Sequence, residues 1–110
     1  MTQRTLVVVL TTVTGEEEAA RVARTLVEER LAACVNRLPV RSTYRWEAKV
    51  EEDAECLLFI KTAGDLLEAL EQRVGELSSY EVPEFVVLGA SATSDSYLAW
   101  LLESCPPVAG

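Results

Sequence analysis

The chain has 110 residues, 49% of them apolar, and a formal net charge of −8 with no histidine. That length suits one domain, read as 1–110, with enough apolar side chains for a core that needs no metal or disulfide staple. The acidic balance offers nucleic acid no basic footprint, and no apolar run approaches the ~18–20 residues of a membrane helix.

Met1-Thr2-Gln3-Arg4 leads straight into a strand with no signal-peptide pattern, so the cytoplasm is the expected compartment. Thr5 to Leu10 is rich in β-branched residues and too short for a helix; it reads as a buried strand. Thr14-Gly15-Glu16-Glu17 has the Thr-x-x-Glu capping pattern, and glutamates fill the first turn, where the helix dipole favours them. Ala19, Val22, Ala23 and Leu26 then follow helical spacing, which predicts an amphipathic helix from about Glu16 to Leu31.

Ala33 to Leu38 returns to strand character, with Pro39 expected to bend or bulge it. Val40, Ser42, Tyr44 and Trp46 alternate with Arg41, Thr43, Arg45 and Glu47, a period of two with the aromatics on one face. A turn at Glu47-Ala48 gives two arms of equal length, 33–46 and 49–62. At ~3.3 Å per residue each arm spans about 45 Å, so the hairpin tip must overhang its domain. Thr62-Ala63-Gly64-Asp65 can cap a second helix whose apolar stripe is Leu66, Leu67, Leu70, Val74 and Leu77. Phe85 to Leu88 is a further apolar strand, and Ser94-Asp95-Ser96 starts a short third helix that Pro106-Pro107 ends.

The order is β-α-β-β-α-β plus a terminal helix: an α+β, ferredoxin-like sandwich with a long central hairpin. Both main helices of that arrangement lie on one side of the sheet. Yet Leu6–Leu10, Cys56–Ile60 and Phe85–Leu88 are apolar at successive positions, so both sheet faces carry hydrophobic side chains. A wet face of that kind exceeds what monomers usually expose, and a second copy of the chain is the simplest cover. The competing cover is the chain's own terminal helix and hairpin. Cys34, Cys56 and Cys105 are too scattered for a disulfide framework or a zinc site and read as core fillers. Scarce Asn, Gln and Met beside abundant Glu and Arg resembles thermophile usage.

The segments Leu31-Ala32-Ala33-Cys34-Val35-Asn36, Tyr44-Arg45-Trp46-Glu47-Ala48-Lys49, Ile60-Lys61-Thr62, Tyr80-Glu81-Val82-Pro83-Glu84 and Asp95 to Trp100 together resemble the CutA family of divalent-cation tolerance proteins. The resemblance runs from Val7 to Trp100. It implies a ferredoxin-like subunit in a tightly packed homotrimer, kinship with the trimeric PII signalling proteins, and a link to copper and other divalent ions. The chain departs from some members by carrying Thr11 where they have a cysteine, and Leu77 and Ser78 where they have histidines. Imidazole and thiolate are the ligands copper prefers, so no metal ligand is carried over. Ala48 stands where glycine is usual, in a turn type that asks for positive φ.

The resemblance makes Lys61, Tyr80 and Glu84, with Trp46 from the hairpin, the expected ligand-binding residues of a cleft between subunits. Glu81 and Glu84 are expected either to hold Lys61 or Arg45, or to face a ligand. Tyr44 and Trp46 can stack on a ligand or anchor a subunit contact. Glu51-Glu52-Asp53 with Glu55 can draw hard cations but reads foremost as a solvated acidic arm. Without histidine, a phosphate loop or a base beside Ser78-Ser79, catalysis finds no support. The expected function is therefore non-enzymatic: a trimer associated with divalent-ion tolerance, its metal contacts weak and carboxylate-led. The alternative is a PII-like signalling or scaffold trimer that holds a small metabolite or partner.

Overall fold

The computed structural model describes residues 4–108. The expected lead-in at Met1–Gln3 lies outside the described residues, as do Ala109 and Gly110. The elements are β1 (Leu6–Val13), α1 (Glu16–Glu28), β2 (Cys34–Trp46), β3 (Lys49–Ala63), a 3-10 turn (Gly64–Leu66), α2 (Leu67–Leu77), β4 (Val86–Gly89) and α3 (Asp95–Ser104). One antiparallel sheet has the order β2-β3-β1-β4, the expected α+β arrangement.

Several local expectations change. Helix α1 stops at Glu28, short of the periodic pattern, because Arg30 takes φ 61° and Leu31 folds back to donate to the Leu26 carbonyl. A left-handed residue just past a helix end is a common stop. The N-cap of α1 is Gly15, with no side-chain bond to the helix; Glu18, not Glu17, reaches back to Thr14. Thr62 caps nothing: it lies inside β3, and its buried hydroxyl donates to the Leu31 carbonyl at 2.8 Å. Pro39 does not bulge the ladder, whose register stays continuous from Cys34↔Lys61 to Trp46↔Lys49. On edge strand β2 a missing N–H need not cost a ladder bond.

Residues directly opposite in an antiparallel pair share a face. Val9, Val13, Leu58 and Ile60 point to the face covered by α1 and α2, and pack with Val22, Leu26, Leu70 and Val74 in the main core. Val8, Leu10, Leu57 and Phe59 point to the other face and are only half-buried. At one end of that second face, α3 seats Leu101 and Cys105 against Leu6, Ala33 and Ala63. Arg4 ties α3 down by donating to the Leu102 and Cys105 carbonyls while pairing with Asp65 at 2.8 Å. The terminal helix thus shields one end of the second face. Along β4, Val86, Val87 and Leu88 remain 42–47% exposed.

β1 pairs with β3 only from Cys56 to Ala63, so the hairpin from Val40 to Glu55 stands clear of the rest of the sheet. This overhang matches a molecule 45 × 27 × 24 Å in extent.

Candidate functional site

The base of the overhang is where side chains gather. On β2, Ser42, Tyr44 and Trp46 share a face with Glu51, Asp53 and Glu55 of β3, because Tyr44 lies opposite Glu51 and Ser42 opposite Asp53. The aromatic face of the hairpin is therefore also its acidic face. Glu52 points to the opposite side, where its carboxylate accepts from the Thr43 hydroxyl. The acidic run is not a uniformly solvated arm: Glu51 and Glu55 are half-buried.

The loop between α2 and β4 closes over this face. Its anchor is Glu18, buried on the first turn of α1. The Glu18 carboxylate accepts from the Ser79 backbone N–H (3.2 Å) and hydroxyl (3.0 Å), and from the Thr14 N–H and hydroxyl. Burial alone would raise the Glu18 carboxyl, but the Ser79 and Thr14 bonds together hold it below the ordinary carboxylate value. Pinned at Ser79, the loop sets Tyr80 against the hairpin, where its hydroxyl donates to Glu55 Oε2 at 2.5 Å. Burial, then the Glu55 bond, push the Tyr80 phenol well above its ordinary range. Tyr44 donates likewise to Asp53, and that bond above all pushes its phenol up to about 12.

Hairpin and loop enclose a cavity of about 730 Å³. Trp46, Tyr80 and Glu84, three of the residues expected at a ligand site, line it together with Tyr44, Glu55 and Glu81. Lys61 is not there. It lies on the open sheet face by α3, its Nζ 6.0 Å from the centre of the Tyr97 ring. Among the described residues neither Glu81 nor Glu84 forms an ion pair, with Lys61, with Arg45 or with any other cation. Trp46 is 42% exposed in the subunit and carries no core packing.

Glu18 is the residue that sequence reasoning missed, and Glu55 reads there only as part of the acidic arm, not as the partner of Tyr80. Glu18 looks like one of three glutamates placed for the helix dipole, and Glu55 like the tail of an acidic run. The strand period offered a partial signal, since it puts Glu55 on the same face as Tyr44 once the turn is fixed.

No three His, Cys, Asp or Glu side chains among the described residues gather closely enough to hold a metal ion. Cys34, Cys56 and Cys105 are all free thiols. Burial raises the Cys56 and Cys105 thiols, which keeps them protonated and poor as ligands. Thr11 is fully buried inside β1.

Comparison with known proteins agrees with this architecture. The family model described as CutA1 divalent ion tolerance protein matches residues 7–104. The "Divalent-cation tolerance protein CutA" of Thermus thermophilus is 49% identical over 98 residues, covering 88% of this chain and 95% of the relative. The Arabidopsis thaliana "Protein CutA, chloroplastic" is 46% identical over 89% of this chain, which spans only 54% of the plant protein. Among solved structures, the "Periplasmic divalent cation tolerance protein CutA" of Archaeoglobus fulgidus superposes with a TM-score of 0.89 at 30% identity. It covers 91% of this chain and 98% of its own.

Proposed function

This chain belongs to the CutA1 divalent ion tolerance family, and on that premise we propose that it works as a non-enzymatic homotrimer in tolerance of divalent ions, copper among them, in the cytoplasm. The observation that carries the assembly is the open sheet face. Leu10, Leu57 and Phe59 are half-buried there, and Leu38, Val86 and Leu88 are exposed at its edges. At ~25 cal/mol per Å², covering even ~800 Å² per subunit supplies roughly 20 kcal/mol before the costs of association. The overhanging hairpin, with Tyr44 and Trp46 exposed, offers a second surface to a neighbouring copy.

Metal contact on this reading is weak and led by carboxylates such as Glu51, Asp53 and Glu55, which line one hairpin face. No helix among the described residues is long and apolar enough to cross a membrane. Nothing in the site favours the PII-like signalling alternative.

Light scattering in dilute solution tests the assembly: the expected mass is three times that of the 12.1 kDa chain. A stable monomer would sink it. Calorimetry with copper and zinc tests the metal role, with weak binding expected that Asp53→Asn diminishes.

A further inference from the structure

We propose that the basic side of one copy's hairpin, bearing Arg41 and Arg45, docks on the acidic loop Glu81-Val82-Pro83-Glu84 of the next copy, so that the neighbour supplies the cations that face this loop. The inference rests on the homotrimer reading and deepens it by naming two surfaces that meet.

The hairpin has two unlike sides. Tyr44 and Trp46 line the cavity of their own subunit, on the side that also carries Glu51 and Asp53. Arg41 and Arg45 alternate with them along β2 and so project from the other side, where Arg45 lies opposite Val50 and Arg41 opposite Ala54. Glu52, the acid between them, accepts from the Thr43 hydroxyl. The loop carries the complementary set: Glu81 and Glu84 are exposed on either side of Val82. Val82 and Val50, 68% and 64% exposed, are the two most exposed large apolar side chains among the described residues. Each surface is thus a valine accompanied by two like charges, and the charges are opposite. Among the described residues none of these four charged side chains forms an ion pair within the subunit.

Each copy carries a net charge of −8. Bringing copies together sets the loop carboxylates near further negative charge unless a cation meets them, and like charges in contact are unfavourable. A guanidinium can hold a carboxylate through paired N–H bonds. The two surfaces differ and belong to one chain, so the contact is heterologous: each copy gives a hairpin and receives one. A contact of that kind closes into a ring and not into a two-fold pair, which is the symmetry a trimer requires.

The test follows subunit exchange in the full chain: unlabelled and isotope-labelled protein are mixed, and mixed oligomers are counted by native mass spectrometry. Arg41→Glu with Arg45→Glu reverses one surface, and Glu81→Arg with Glu84→Arg reverses the other. All four positions are exposed, so the subunit core does not use them. Either reversal alone should speed exchange at least about tenfold, because like charges then face each other. All four changes together restore opposite charges and should return exchange to within about threefold of the parent. The parent itself gives a second reading that does not depend on how a variant folds. Its exchange should quicken as salt rises from about 0.05 to about 0.5 M, since salt screens the contact. The proposal is overturned if both single-surface reversals exchange at the parent's rate, if the fourfold variant exchanges as fast as they do, or if salt leaves the parent unchanged. A monomeric parent would remove the homotrimer reading and this contact together; a trimer indifferent to the reversals would remove this contact alone.

Discussion

Three residues carry more than their position in the sequence suggests. At the hairpin tip Glu47 and Ala48 have φ 50° and 67°, the paired left-handed conformation of a two-residue type I′ connection. A side chain there is strained by about 1 kcal/mol relative to glycine. Ala48→Gly should therefore raise the unfolding free energy by about 0.5–1 kcal/mol, read as a higher denaturant midpoint with an unchanged m-value, since strain relief outweighs the added freedom of the unfolded chain. At the other end of the site, Glu18 is a buried carboxylate held by four donor contacts from Thr14 and Ser79. Its folded value lies below the ordinary 4.5, so its contribution is fully present above that pH. It is lost as pH falls through the lowered folded value. Glu18→Ala should cost about 1–3 kcal/mol at neutral pH by stranding the Ser79 N–H. It should also flatten the acid limb of a stability–pH curve; an acid limb identical to the parent's would contradict this role.

At the scale of elements, the 78–84 loop is joined to the hairpin through the neutral Tyr80 phenol donating to Glu55, and a second phenol, Tyr44, donates to Asp53 across the hairpin itself. Tyr44 and Tyr80 both keep their protons above the ordinary value of 10. The stabilisation they give is complete below that pH and disappears as pH rises through the higher folded values, because the unfolded phenols ionise first. Thermal midpoints should thus fall on the alkaline side, above about pH 10, and Tyr80→Phe should remove part of that fall. A Tyr80→Phe variant with the parent's alkaline profile would show that this bond does not tie loop to hairpin.

For the whole molecule, the distribution of exposed apolar residues is the dominant feature. Two helices close one face of the sheet, α3 closes one end of the other, and β4 is left open at a sheet edge. Leu88, 47% exposed, lies opposite Val8 on the open face. Leu88→Glu should leave the subunit folded but convert a trimer into monomers by light scattering, because burying an unpaired carboxylate in the contact is unfavourable. A variant that stays trimeric would mean that the contact lies elsewhere, at the hairpin for instance.

The sequence by itself determined the element order, the two hairpin arms and the turn between them. These depend on local terms: period-two alternation, β-branched runs, and the equal lengths on either side of Glu47-Ala48. It also carried Trp46, Tyr80 and Glu84 as candidate site residues, through the segments that contain them. The tertiary structure alone decided that Lys61 sits apart under α3, that Glu18 pins the loop, and that Tyr80 reaches Glu55. Each of these depends on contacts between segments 25 to 61 positions apart, for which local periodicity has no signal. The same holds for α3: its own stripe shows which side is apolar, but only the packed sheet shows how much of the second face so short a helix can reach.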